Sequence, residues 1–138
     1  MPLMLEQAEK IISICRLTQN KKEDFFCLFL AKLGFTNIKL LAANDKEINA
    51  TATIELGILS HHFLIKFVFD TNLIDKNTLM KLRNSAEGHI NKGMIITVGY
   101  FSREAKKHRW KRGNITIDLV DADALLQKLK IVNIEYVL

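Results

Sequence analysis

The chain opens with two patterns typical of amphipathic helices. In the first, apolar residues recur every three or four positions with charged residues between them: Leu3, Leu5, Ala8, Ile11, Ile12 and Cys15. This spacing predicts an α-helix with one buried face. The second pattern runs from about Glu23 to Leu33. Asn20 or the lysines that follow it open that helix, and Gly34 is well placed to end it. Its apolar side is rich in phenylalanine, so we expect this helix to lie deep in the fold: Phe25, Phe26, Phe29, Leu30 and Leu33.

Strand patterns follow and then alternate with helical ones. Apolar and polar residues alternate through 48–56, which is typical of a half-buried strand, and 57–61 suits a turn into the next. The patterns predict strands at 37–42, 48–56, 62–70, 94–98, 115–119 and 131–137, and helices at 75–87, 102–110 and 121–129. Three consecutive strands followed by strand–helix–strand crossovers predict an α/β fold with a mixed central sheet and helices on both faces.

Composition favours a single folded domain. The 138 residues are 49% hydrophobic and 25% charged with 6 Gly and 1 Pro, which excludes disordered and repetitive classes. Cys15 and Cys27 lack the spacing of a zinc or disulfide framework, so we expect buried thiols in a reducing compartment. Neither a secretory leader nor an apolar run long enough to span a membrane is apparent. We therefore expect a cytoplasmic protein with no membrane partner.

The positive charge is concentrated in one short segment. The net charge is +5, and residues 103–112 hold six cations and one Glu, so the basic and acidic residues elsewhere are equal in number. The six cations are Arg103, Lys106, Lys107, Arg109, Lys111 and Arg112. Such a patch predicts binding to a polyanion, with nucleic acid the leading candidate, although a charge run can also be a solvated helix face. Trp110 could stack on a base, but we expect it to pack within the fold.

Residues 93–105, GMIITVGYFSREA, resemble a segment of the Mrr-type restriction endonucleases. In that family a strand ending in I-T-T is followed by x-x-F-S-x-E-A, which opens a helix. Ile96-Thr97, Phe101-Ser102 and Glu104-Ala105 stand in those places, and Val98 replaces the second Thr. Downstream, 117–126 resembles the family's I-D-G-x-x-L section, and upstream the pair Gly34-Phe35 follows Glu23 at the family's spacing of eleven residues.

The resemblance covers about residues 21–130 and implies a restriction-endonuclease-like fold. It divides the chain into an N-terminal helical extension, 1–20, and a Mrr-like domain, 21–138. It also implies a DNA partner. A homo-oligomer is a further possibility.

The same resemblance identifies candidate catalytic residues and two departures from the family's pattern. The family carries D-G-G-I-D on one strand and Q-x-K or E-x-K on the next. Lys66 and Glu23 match family positions, whereas Asn49 stands where the metal-binding carboxylate belongs and Leu64 replaces the second polar residue. Family members hydrolyse phosphodiesters with Mg²⁺, which prefers charged oxygen ligands. We therefore expect weakened or lost catalysis, with Mg²⁺ as cofactor only if the protein is active.

Two alternatives remain open at the level of sequence. In an active Mg²⁺-dependent, type IV DNA endonuclease, Glu47 or Asp70 would replace the lost ligand, because alternate residues of a strand share a face with Asn49 or Lys66. Glu47 lies two residues from Asn49, about 6.6 Å along a strand. The other alternative is a protein-interaction module that uses its N-terminal helix. Lys66 could also be a strand-edge surface charge, and Glu23 a first-turn residue that suits the helix dipole.

Overall fold

A computed structural model describes residues 5–132 of the chain. Within that range the helices are α1 (Leu5–Cys15), α2 (Gln19–Lys32), α3 (Lys76–Ser85), α4 (Arg103–His108) and α5 (Ala122–Ile131). The strands are β1 (Thr36–Ala43), β2 (Glu47–Leu56), β3 (Leu59–Val68), β4 (Lys92–Thr97) and β5 (Thr116–Val120).

The strands form one mixed sheet in the order β1-β2-β3-β4-β5. Hairpins join β1, β2 and β3, which are antiparallel, whereas β3, β4 and β5 are parallel. Parallel neighbours need crossover connections, and α3 and α4 supply them. The predicted α/β architecture, a mixed sheet flanked by helices, is confirmed.

Two apolar clusters lie on opposite faces of the sheet. The larger cluster joins α1, α2 and α5 to the sheet, and Phe67 is at its centre, with its ring centroid 4.4 Å from that of Phe69 and 5.5 Å from that of Phe26. The smaller cluster joins α3 and α4 to residues such as Leu64 and Ile95. The expectation that α2 lies deep is confirmed, because Phe26 and Phe29 are fully buried.

Helix α2 begins earlier than the pattern predicts. Thr18 is its N-cap, and the Thr18 hydroxyl accepts a hydrogen bond from the backbone N–H of Lys21 at 3.4 Å. The polar first turn, residues 19–22, carries too little apolar periodicity to have been counted as helix. Gly34 follows the helix with a φ of 104°, a conformation that glycine adopts readily, in agreement with the predicted stop.

Three other boundaries correct the sequence predictions. Strand β3 ends at Val68, so Asp70 lies beyond it and does not belong to the alternating strand face. Helix α4 ends at His108, before Trp110. The predicted strand at 131–137 is wrong at its start, because Ile131 is the last residue of α5, and residues 133–137 lie outside the described range.

Both cysteines are free thiols. Partial burial raises the pKa of Cys15 and of Cys27 above the ordinary thiol value. Each thiol therefore favours its neutral, less reactive form. Separately, no helix in residues 5–132 combines the length and the apolar character needed to cross a membrane.

Candidate active-site cleft and basic groove

The motif residues of β2 and β3 meet on one face of the sheet. In the antiparallel register Asn49 lies directly across from Lys66, and Leu64 is two residues from Lys66 on the same strand. Alternation therefore turns all three side chains toward the α3 side. Together with Leu41, Lys81, Leu82 and Ser85 they line a cleft of about 220 Å³. The structure thus brings three of the family-motif positions into one site.

Lys66 forms an ion pair within this site. Its Nζ atom donates to both carboxylate oxygens of Glu47, each at 3.2 Å. The two residues are diagonal neighbours across the β2–β3 ladder, a spacing that long side chains can bridge. The Lys66 side chain is only 15% exposed and that of Glu47 36% exposed, so part of this pair is shielded from water.

The donor groups in the cleft do not fit Mg²⁺. Leu64 offers no ligand atom, and the Asn49 carbonyl brings no negative charge. Glu47 is the nearby carboxylate, and both of its oxygens already accept from Lys66. Across residues 5–132, no three His, Cys, Asp or Glu side chains form a group that could hold a metal ion.

Glu23 and Asp70 are not among the residues that line the cleft. Glu23 lies on α2, where its carboxylate accepts from Gln19 Nε2 at 3.4 Å. The Asp70 carboxylate accepts from the backbone N–H of Asn72 at 3.0 Å in the loop after β3. Each carboxylate therefore has a hydrogen-bonding partner close to it in the chain.

Lys22 is a buried cation that sequence analysis missed. Its Nζ atom donates to the backbone oxygen of Asp45 at 2.7 Å and lies 5.1 Å from the centroid of the Phe69 ring. Lys22 precedes Phe26 by four residues and Phe29 by seven, which places it on the apolar stripe of α2. This helical spacing is the sequence signal from which the burial of Lys22 could have been predicted.

The cleft continues along the sheet into a second depression of about 220 Å³. The two share Leu41, Leu64 and Ser85, and the second adds Lys39 from β1 and His89 from the loop after α3. Glu87 also lines this depression, and its carboxylate lies 3.9 Å from His89. Lys39 and Lys81 are exposed, so both parts of the continuous cleft present a cation.

The six cations of the basic segment are all exposed. Ser102 caps α4 by accepting from the Ala105 N–H at 3.0 Å, and Ala105 is fully buried in the smaller cluster. This anchoring turns the charged residues outward. Trp110 is 63% exposed, so the expectation that it packs within the fold is wrong. With α4 ending at His108, Trp110 lies in the following loop, beyond the helix face that contacts the core.

Trp110 lies on a groove of about 580 Å³. One side of the groove is α3, and the other is the α4 segment, that is, α4 and the loop after it, residues 103–114. Of the six predicted cations, Lys107 and Lys111 line this groove. The other lining residues come from both sides: Lys76, Met80, Arg83, Asn84, His108, Trp110 and Asn114. The contribution of α3 was missed, because a charge run along the chain cannot show which cations a second helix adds. The signal was the composition of α3, which has three cations and no acidic residue.

Arg83 lines this groove. Its Nε donates to the backbone oxygen of Ile115 at 3.2 Å. The Nη2 atom is buried and has no hydrogen-bond partner among the described residues. Burial also lowers the pKa of Arg83 from its ordinary value.

Comparisons with known proteins agree with this architecture. Among solved structures, the DNA modification-dependent restriction endonuclease AspBHI superposes with a TM-score of 0.58 at 16% identity, covering 97% of this chain and 37% of the other. The MspJI restriction endonuclease, solved in complex with a 27-mer oligonucleotide, gives 0.55 at 11% identity, with 94% and 32% covered. The chain thus spans about a third of each of these proteins. No curated protein sequence matches it.

The sequence also matches a family model. The model is described as a restriction endonuclease, of the Mrr catalytic type, and the match extends over residues 14–129. That range includes β2 and β3 with the cleft, α3, and the basic segment. The chain therefore belongs to the Mrr-type restriction endonuclease family.

Proposed function

We propose that this chain is a DNA-binding domain of the restriction endonuclease family in which metal-dependent phosphodiester hydrolysis is weakened or lost. The observation that carries the proposal is the composition of the cleft. Leu64 and Asn49 occupy two of the motif positions, and Lys66 is paired with Glu47. DNA is the proposed partner, and a reducing, cytoplasmic setting agrees with two free thiols.

Loss of ligands removes the main source of catalysis in such a site. A bound metal neutralises the scissile phosphate and activates the attacking water. Leu64 cannot coordinate, and a neutral amide at Asn49 would hold a hard cation weakly. Lys66 alone supplies a cation near the phosphate without a group that activates water. We therefore infer a site that contacts a phosphodiester without cleaving it.

The distribution of cations supports DNA binding. Lys39 and Lys81 line the cleft, and Lys107 and Lys111 line the groove on the other side of α3. The MspJI protein, of which this chain covers 32%, was solved in complex with an oligonucleotide, which gives a precedent for nucleic-acid binding by a larger protein that contains this fold. Since Lys and Arg release condensed counterions from DNA, the resulting affinity would depend strongly on salt.

A plasmid cleavage assay with Mg²⁺ or Mn²⁺ tests the loss of activity. The purified protein and its Lys66→Ala variant are incubated in parallel with modified and unmodified DNA. We expect no nicking by either protein. Metal-dependent nicking by the wild type that disappears in Lys66→Ala would overturn this part of the proposal.

Duplex binding is measured separately by fluorescence anisotropy over a range of salt concentrations. If six or more phosphates are contacted, affinity falls about 10³-fold or more between about 50 and 200 mM salt. Salt-insensitive or undetectable binding would refute the DNA-binding part and favour a protein-interaction module.

The second candidate function is an active endonuclease with a relocated metal ligand. Of the two carboxylates considered for that role, the position of Glu47 favours it over Asp70. Glu47 lies beside Lys66, whereas Asp70 lies in the loop beyond β3. A working site would require the Glu47 carboxylate to leave Lys66 and bind a metal. The cleavage assay with Glu47→Gln distinguishes this case, because the substitution abolishes any nicking that depends on the carboxylate.

A further inference from the structure

The groove between α3 and the α4 segment combines cations with an exposed aromatic ring. Lys76 lines it from α3, and Lys107 and Lys111 line it from the other side. Trp110 and Met80 are large apolar side chains with 63% and 47% of their surface exposed, and both lie on the same groove. Exposed apolar side chains of this size, grouped and rimmed by charge, are typical of a binding site.

A second observation points to a ligand. Buried polar atoms in folded proteins almost always have a hydrogen-bond partner, and each exception needs an explanation. Arg83 lines the groove, and its buried Nη2 atom has no partner among the described residues. An acceptor oxygen brought by a ligand would satisfy this N–H group. Because the Nη2 atom is closed to solvent, the guanidinium would have to turn toward the groove to meet that oxygen. A phosphate is well suited, because its oxygens match the geometry of a guanidinium.

We propose that this groove binds an unpaired nucleotide, with the base against Trp110 and the phosphate near Lys107 and Lys111. The inference rests on the proposed DNA-binding function and specifies the form of nucleic acid that this part of the surface recognises. Stacking on an aromatic side chain, combined with a positively charged groove, is the general way in which proteins hold single strands.

The exposed Trp110 ring and the volume of the groove favour an unpaired nucleotide over a duplex. In the interior of a duplex both faces of each base are stacked on neighbours, so Trp110 would have no free face to contact there. The volume of about 580 Å³ lies within the range of about 300–1,000 Å³ found for sites that enclose small ligands. Helix α3 separates this groove from the cleft, since Met80 and Asn84 face the groove whereas Lys81 and Ser85 face the cleft.

Trp110 provides a direct readout, because it is the only tryptophan in the chain. Three DNA probes are compared: a blunt duplex, the same duplex with a thymine tail, and oligothymidine alone. Binding of each is followed by anisotropy of a label on the DNA and, independently, by tryptophan fluorescence. We expect the tail and oligothymidine to quench Trp110, and the blunt duplex to bind with little quenching.

Variants separate stacking from charge. Trp110→Ala is expected to weaken binding of the tailed duplex by about 5-fold to 150-fold, the range measured for loss of one base–aromatic stack, and to leave blunt-duplex binding within about twofold. Trp110→Phe keeps an aromatic ring and should recover most of the preference for the tail. Ile131→Ala removes another exposed apolar side chain, 77% exposed, from α5 on the opposite face of the sheet, and should change the binding of neither probe.

The outcomes distinguish failure of this inference from failure of the proposed function. If no DNA probe changes the anisotropy, DNA binding itself is refuted. If the blunt duplex binds but the tail adds no affinity and no quenching, the groove does not hold an unpaired nucleotide. Equal weakening of blunt and tailed probes by Trp110→Ala would also overturn the inference.

Discussion

Lys66, which lines the cleft, forms a two-oxygen ion pair with Glu47 beside it, and Lys66 Nζ lies 3.2 Å from each carboxylate oxygen. Asn49, which lies directly across the ladder from Lys66, carries no charge that could compete for the ammonium group. Glu47 therefore sets how much positive charge this part of the cleft offers to a phosphate.

Replacing Glu47 with glutamine should strengthen DNA binding. The variant frees the Lys66 ammonium group and removes one negative charge from beside the cleft. If Lys66 then contacts one more phosphate, the slope of log K against log salt becomes steeper by about 0.9. Anisotropy titrations at several salt concentrations measure this slope.

Two further variants test the origin of that effect. Glu55→Gln removes the same charge from an exposed position farther along β2 and should leave the slope unchanged. Adding Lys66→Met to Glu47→Gln should cancel the gain, because the two sites are in contact and their effects are coupled. An unchanged slope in Glu47→Gln would show that DNA does not reach this pair.

Charge reversal in α4 tests the basic segment. The double variant Lys106→Glu with Lys107→Glu should weaken duplex binding and lower the salt slope by about 0.9 for each phosphate that the protein no longer neutralises. Both residues lie in the last turn of α4 and are exposed, so the fold should be preserved. Fluorescence anisotropy measures the affinity, and thermal melting checks the fold.

The matched control reverses two charges on the other face of the sheet. Lys32 and Lys130 are exposed and lie in the last turns of α2 and α5. Their double replacement by glutamate changes the net charge and the helix-dipole interactions in the same way. Equal loss of binding in both double variants would mean that overall charge, rather than the α4 segment, governs affinity.

Restoring carboxylates should restore affinity for a metal. Leu64 is 5% exposed, so Leu64→Glu combined with Asn49→Asp places charge in a nearly buried position and should lower the melting temperature in EDTA. If the cleft geometry still matches that of its family, Mg²⁺ or Ca²⁺ should stabilise the variant by about 2.7 kcal/mol at a hundredfold excess over Kd.

Thermal melting with and without the metal is the measurement. Leu64→Gln with Asn49 unchanged is the control, since it adds polarity without charge and should show little metal dependence. Identical melting of the double carboxylate variant in EDTA and in metal would contradict the prediction.

Gly99 and Gly88 form a matched pair for a test of packing. A Cβ atom at Gly99 would lie 2.8 Å from the backbone oxygen of Thr71, whereas one at Gly88 meets nothing within 4 Å. Gly99→Ala should destabilise the fold by about 1–3 kcal/mol, because backbone must move. Gly88→Ala should be neutral or stabilising by up to about 1 kcal/mol through the unfolded state. Urea denaturation measures the free energy of unfolding of both variants. Similar values for the two would show that the backbone around Gly99 moves to accept the methyl group at little cost.

The local pattern of the sequence was sufficient for most of the elements between residues 5 and 132 and for the class of fold. Apolar spacing identified α2 through Phe25, Phe26 and Phe29, and alternation identified β2, because each period follows from backbone geometry alone. The resemblance around Phe101-Ser102 identified the family, which the match over 14–129 confirms. Boundaries without an apolar signal were less accurate, as the polar first turn of α2 shows.

What the tertiary structure decided was which residues meet. The family resemblance made Lys66 a candidate and strand alternation added Glu47, but only the register of the β2–β3 ladder makes them an ion pair. The groove at Trp110 is formed partly by α3, which lies many residues earlier in the chain. The apolar spacing within one segment cannot predict which distant helix packs beside it. Local periodicity is fixed by the backbone of one segment, whereas register and helix packing are chosen by contacts between distant segments. The sequence by itself therefore determined the elements and the family, and the fold decided which charges meet in the cleft and the groove.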